Sequence, residues 1–315
     1  MSMSTRMAEQ GLIQDRQLFG LRVRSALQLD EFRAWTGDDR SPDITITIEP
    51  FPLDVEDALH RGPFLAIGRS GVCHLNIPAV ARFRIERGCL IVIDPQLPTD
   101  AQDIKTFLLG SVLGILCHQR GLLPLHASAV QIEDRAVAFA GNSGAGKSSL
   151  AAMLASRGHR LLTDDVAAID STDCYPHPLI LPSFGRMKLW RDSLERLGAM
   201  DAKLPRVRGV IDKFLLTSSQ FDPAPVKLSA VYGLTIARGT AGLSILPLSG
   251  HLSAAMLLNN VYRSNVAQFI DGNTRLFDGV IKLARNVPTW IIQRPNDLTK
   301  LDDLARQVEE HVLAA

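Results

Sequence analysis

Gly141-Asn142-Ser143-Gly144-Ala145-Gly146-Lys147-Ser148 has the residue types and spacing of a loop that cradles phosphate. Glycines let successive backbone N–H groups converge on anionic oxygens with no Cβ in the way. A helix starting at the end of the loop adds free N–H groups and the positive end of its dipole. Lys147 would place a point charge on the β- and γ-phosphates, and the Ser148 hydroxyl would be a ligand for Mg2+. Ser149 extends the same nucleotide-binding stretch. Such a match arises by chance in a chain of this length on the order of once in a hundred. The setting is the one the motif demands: an apolar strand at residues 135–140 before it, and a small-residue helix at 148–157 after it, closed by Gly158.

A second group of residues could act on that phosphate. Asp164 and Asp165 follow a short apolar strand, residues 160–163, and Asp164 stands 17 positions after Lys147. One helix and one return strand fill that distance, and a right-handed crossover brings the strand's carboxyl end to the side of the loop. One carboxylate can hold Mg2+, directly or through water, and the other can accept a proton from an attacking hydroxyl. The competing reading of Asp165 is a plain turn residue, because neighbours on a strand face opposite sides. His126 lies one hairpin before the loop, where a satisfied core histidine is the competing account. Arg186, Lys188, Arg208, Lys213 and Arg263 interrupt apolar stretches and are candidate cations for a transferring phosphoryl group. A solvated or snorkelling side chain is the alternative for each.

The elements that must position these residues are legible in outline. Residues 1–17 are polar and expected to fray. From residue 18 to about 94 the chain is strand-rich, with alternation at 18–27 and 43–49 and a hairpin whose arms, 81–86 and 89–94, flank Arg87-Gly88. Residues 103–119 read as a helix, and the change of character near residue 100 predicts a strand-rich region at 1–100 and a second domain at 101–315. Residues 122–132 read as one extended segment turning at Glu133-Asp134. Further strands are expected at 229–237, 243–248 and 289–293, and helices at 252–259 and 274–285. A last helix carries Leu301, Leu304, Ala305, Val308 and Val312 on one stripe.

Composition narrows the function classes. The 315 residues carry 34 Lys plus Arg against 33 Asp plus Glu, a net charge of +1, which argues against a protein that coats duplex nucleic acid. Trp35, Trp190 and Trp290 are too dispersed for a base-stacking platform. The longest apolar run, residues 107–117, is short of the ~20 needed to cross a bilayer. The first 17 residues hold no apolar signal core. Cys73, Cys89, Cys117 and Cys174 are scattered, so buried reduced thiols and a cytoplasmic location are expected.

Residues 125–130 around His126, the loop 141–150 and the aspartate segment 157–170 resemble, in order and spacing, the catalytic domain of the HPr kinase/phosphorylase family. The similarity spans about residues 122–170 and is greatest toward the HPr kinase-related bacterial kinases, a group that includes lasso-peptide tailoring kinases. It continues more faintly through residues 181–190 and 210–216, which makes Arg186 and Lys213 the preferred phosphate or substrate cations. The resemblance implies an α/β fold with a P-loop core of the HPr kinase/phosphoenolpyruvate carboxykinase type. It implies ATP and Mg2+, and transfer of the γ-phosphoryl group to serine. By position, Asp164 resembles the family's proton acceptor, Asp165 its metal-side partner with Ser148, and His126 its phosphate-side histidine.

The resulting expectation is a serine kinase acting on a peptide or protein, such as a ribosomally made precursor peptide. The strand-rich region is a candidate for recognising that acceptor by edge-strand pairing. No nucleic-acid or membrane partner is expected, and a homo-oligomer is an open alternative. Two other readings stand beside this one: a small-molecule kinase on the same core, and an ATP-binding switch without an acceptor.

Overall fold

The computed structural model describes residues 13–314 apart from positions 53, 173, 209–210, 219–220 and 238–241. Residues 1–12 and Val210 therefore lie outside the described residues. The chain is mixed α/β and divides into two units: residues 1–121 with 263–274, and residues 122–262 with 275–315.

The first unit grows from the alternating patterns. Its nine-stranded sheet runs in the order Arg33–Ala34, Gln14–Leu18, Leu21–Ser25, Ile44–Ile48, Leu90–Pro95, Ala81–Glu86, Cys73–Ile77, Leu65–Gly68, Ala58–Arg61. The strand Ala81–Glu86 shows why alternation suffices: Ala81, Phe83 and Ile85 are buried, and the residues between them face outward. Two expectations change here. Gln14–Leu18 is a paired strand rather than part of a frayed end. Residues 18–27 are not one strand, because Phe19 and Gly20 both take positive φ, 55° and 75°, and close a two-residue hairpin turn before Leu21–Ser25.

The helical stretch at residues 102–119 consists of Gln102–Phe107, a π-helical turn Leu108–Val112 and Leu113–Gln119. It belongs to the first unit, so the division falls at 121/122 rather than near 100. The reason is specific bonding at its end. The Gln119 side chain donates to the carbonyls of Gly71 and Ile85, both at 2.9 Å, and accepts from the Gly88 N–H. No helix among the described residues is long and apolar enough to cross a membrane.

In the second unit, residues 122–132 are broken at His126 into two strands that join different neighbours. Leu123–Leu125 pairs with Ala167–Asp170, and Ala127–Ile132 pairs with both Arg135–Ala140 and Arg160–Thr163. Both of those partners run antiparallel to Ala127–Ile132 and are therefore parallel to each other. Val226–Ile236 runs parallel to Arg135–Ala140, and Thr289–Arg294 parallel to Val226–Ile236. Four strand carboxyl ends thus gather on one edge. The helix Lys147–Ser156 and the last helix Leu301–Ala314 share a core with this sheet, including Leu150, Leu154, Phe139, Tyr232, Ala305 and Val308. The whole C-terminal stripe from Leu301 to Val312 is buried, as its spacing requires.

Thiol burial is split. Cys73 and Cys117 are buried, whereas Cys89 and Cys174 are exposed, which corrects the expectation of four buried thiols. Cys89 follows the hairpin turn at Arg87-Gly88, where it cannot reach the core.

Candidate functional site

The loop begins where the strand Arg135–Ala140 ends and closes where the helix Lys147–Ser156 starts. Asn142, Ser143 and Gly144 form its exposed crown, and Ala145 N–H donates to Asn142 O at 3.0 Å. Two glycines face close neighbours, one backbone and one side chain. At Gly141, φ 147°, a Cβ would lie 2.6 Å from the Leu234 carbonyl oxygen. At Gly146, φ 98°, it would lie 2.8 Å from the Arg294 guanidinium. The Lys147 ammonium donates across the loop to Gly141 O at 2.7 Å and Asn142 O at 3.2 Å. Burial lowers its pKa, against the opposing pull of Asp164 and Asp165. Ser149 is different: its hydroxyl is engaged with Ser193 at 2.8 Å in a buried contact.

Asp164 is 3 % exposed at the end of Arg160–Thr163. Its Oδ1 accepts hydrogen bonds from Ser148 Oγ at 2.8 Å and Ser128 Oγ at 2.6 Å, and its Oδ2 accepts from the Lys188 N–H at 2.8 Å. The loop serine and the first aspartate are therefore in direct contact.

Asp165 does not turn away. Its φ of 78° is rare for a residue with a Cβ and breaks the strand alternation. The turn is held by Thr163 Oγ1, which donates to Val166 O at 2.7 Å. Asp165 Oδ2 accepts from Lys188 Nζ at 2.7 Å, so both carboxylates are held by the same lysine residue. Burial pushes the Asp165 carboxyl up, but the Lys188 ammonium and then His126 outweigh it and hold the group far below the usual carboxylate range. Burial lowers the pKa of Lys188, yet Asp165 wins and raises it.

His126 sits at the break between its two strands. Its backbone N–H donates to Asn260 O at 2.7 Å, and the Tyr262 N–H donates to Pro124 O at 2.8 Å. The Tyr262 ring lies 5.6 Å from the imidazole, tilted by 43°. Nδ1 is 3.1 Å from Asp165 O and 3.3 Å from Asp165 Oδ1. Two acceptors at that nitrogen assign the proton to Nδ1.

The cations sort by sheet register. The small sheet of Arg186–Trp190, Ile211–Thr217 and Arg206–Arg208 buries Met187 and Leu189 on one face. Its other face carries Arg186, Lys188 and Trp190, with Lys213 directly opposite Trp190. Lys188 reaches the aspartates. The ammonium of Lys213 lies 5.0 Å over the Trp190 ring and acts electrostatically on Lys147. Arg186 shares the face at the start of the strand, opposite Thr217. Arg208 pairs with Ile211 in the third strand. Arg263 lies in the first unit, where its guanidinium donates to Ser111 Oγ at 2.6 Å.

Sequence reasoning missed Arg294. It ends the strand Thr289–Arg294, is 7 % exposed, and its Nε donates to Ala145 O of the loop at 2.8 Å. The available signal was a cation one position beyond the predicted strand at 289–293, at the carboxyl edge where parallel strands place ligand-binding groups.

This arrangement can bind an anion through loop N–H groups and Lys147, and it presents one hydroxyl and one carboxylate in contact beside it. Among the described residues no three His, Cys, Asp or Glu gather as a metal group. A Ser148 hydroxyl with the Asp164 carboxylate still fits Mg2+, which takes one or two protein oxygens and completes its shell with water and phosphate.

No family model matches the chain, and no curated protein matches it. Among solved structures, it is similar to the HPr(Ser) kinase/phosphatase from Coxiella burnetii, at 15 % identity and a TM-score of 0.36, over 61 % of this chain and 91 % of that one.

Proposed function

We propose that this protein is an ATP- and Mg2+-dependent kinase that transfers the γ-phosphoryl group to a serine hydroxyl of a peptide or protein. The observation that carries the reading is the 2.8 Å hydrogen bond from Ser148 Oγ, at the end of the glycine-rich loop, to the buried Asp164 carboxylate. It joins the two parts that phosphoryl transfer needs, an anion cradle and a carboxylate pair.

In this mechanism the N–H groups of residues 141–148 and the Lys147 ammonium bind the β- and γ-phosphates. Ser148 and Asp164 would hold Mg2+, which supplies neutralisation of charge on the phosphate oxygens. The hydrogen bonds support exchanging the roles that the family resemblance implied for the two aspartates. Asp164 is the carboxylate beside Ser148, and Asp165 is the more accessible one, its side chain 21 % exposed. Asp165 accepts the proton of the serine hydroxyl as its oxygen bonds phosphorus and the bond to the β-phosphate oxygen breaks. Lys188 keeps Asp165 ionised and oriented, and the His126 Nδ1–H steadies it from the other side. Arg186 and Lys213 supply positive charge on the adjoining sheet face.

The acceptor peptide is assigned to the first unit, whose terminal strands Arg33–Ala34 and Ala58–Arg61 offer sheet edges for pairing. Use of ATP makes the cytoplasm the proposed location.

The test is incubation of the full chain with Mg2+ and labelled ATP, in the presence of serine-containing peptides, with phosphopeptide detection by mass spectrometry. Asp165→Asn should slow transfer by about 10²–10⁴-fold and leave ATP binding within about twofold. An Asp165→Asn chain that transfers normally would remove the base assignment. Label appearing only on metabolites, or only as free phosphate, would replace the peptide kinase with one of the alternative readings.

A further inference from the structure

We propose that a cavity beside Arg294 receives the nucleobase of the nucleotide, an inference that rests on the phosphate-binding reading above. The cavity has a volume of about 180 Å³ and is walled by Leu243, Pro295, Leu298, Leu301, Leu304 and Arg294. It lies wholly in the second compact unit, which also holds the loop.

Three observations point to this occupant. Arg294 is shared: its Nε donates to Ala145 O of the loop, while the same residue forms a wall of the cavity. A nucleotide with its phosphates on residues 141–148 has its base a short reach from the loop, and Arg294 is a side chain common to the loop's surroundings and the cavity wall. The lining also suits a flat aromatic ring. Four leucines and a proline supply apolar contact, and the planar guanidinium supplies a stacking partner. Gln307 lines the same space with an amide that can both donate and accept, as the edge of a base requires. Finally, the size is right: an apolar cavity of about 150 Å³ already takes a benzene ring. The wall is also built where binding residues collect in a parallel sheet, in the segment that follows the carboxyl end of Thr289–Arg294.

Calorimetric titration of the full chain with MgATP and with magnesium tripolyphosphate, which lacks a base, tests the assignment. The wild-type chain should bind MgATP more tightly. Leu298→Asp, at a half-buried wall position, should weaken MgATP by about tenfold or more and leave tripolyphosphate within about twofold, because a carboxylate is then desolvated against the ring. Leu243→Asp is the second variant, and the unfolding midpoint of each ligand-free chain reports that it is folded. Equal wild-type affinities for the two ligands would overturn the proposal and leave the phosphate loop intact. So would folded variants that bind MgATP as the wild type does, including a case in which they alter only the KM for a peptide. If neither ligand binds the wild-type chain, the phosphate-binding reading itself falls.

Discussion

Asp165 occupies a strained backbone conformation, φ 78°, and its carboxylate bonds the same lysine residue as that of Asp164. Two adjacent carboxylates would repel each other, and Lys188 removes the conflict by donating its N–H to one and its ammonium to the other. The consequence is a pH dependence of known sign. A carboxyl whose pKa is depressed on folding stabilises the protein above its unfolded value of about 3.9, and that stability is lost as pH falls below it. Asp165 is such a group. In Lys188→Met the largest opposing influence is gone, burial dominates, and the folded pKa of Asp165 moves up. Urea unfolding of both chains between about pH 6 and pH 2 should show a smaller acid loss in the variant than in the wild type. Parallel acid slopes would contradict the assigned role of Lys188.

At the scale of elements, the loop is a junction whose two ends are sterically pinned. Gly141 and Gly146 face neighbours, whereas a Cβ at Gly144, φ 85°, would meet nothing within 4 Å. Alanine should therefore cost different amounts at three positions of similar sign in φ. Gly144→Ala should cost about 1 kcal/mol, the conformational penalty alone. Gly141→Ala should cost the most, about 2–4 kcal/mol, because its clash is with a backbone carbonyl that cannot move aside. Gly146→Ala should fall between them, since the Arg294 side chain can yield at the expense of its bond to Ala145 O. Denaturant midpoints give the order, and an equal cost at Gly144 and Gly141 would refute it. The predicted strand–loop–helix is thus supported by a sheet neighbour, Val226–Ile236, nearly 100 positions further along the chain.

At the scale of the whole molecule, the chain crosses between its two units three times, because residues 263–274 return to the first. The helix Ser264–Asp271 within that return buries Val266 and Ala267. A single compositional break near residue 100 could not reveal such an arrangement. The four thiols report burial over both units. Burial pushes Cys73 and Cys117 up to about 12, so at about pH 8 they carry almost no thiolate and are shielded as well. Brief alkylation of the native chain, read by mass, should therefore modify Cys89 and Cys174 alone. All four should react in denaturant, and fast native labelling of Cys73 would show that the first unit opens readily.

By itself the sequence determined what depends on neighbours in the chain. The glycine-rich loop, the helix after it, the aspartate pair ending a strand and the stripe from Leu301 to Val312 are all patterns of local spacing. Backbone geometry and the 3.6- and 2-residue periods act over a few residues, so they leave marks that can be read directly. Only the tertiary structure decided which cation meets the aspartates. Arg186, Lys188 and Lys213 look alike in sequence, and sheet register placed Lys188 on the pair. It also decided that Asp164 bonds Ser148, that Asp165 turns inward, and that Arg294 joins the loop from 149 positions away. Those contacts depend on strand order and on a single left-handed residue, and neither leaves a period or a composition to be read.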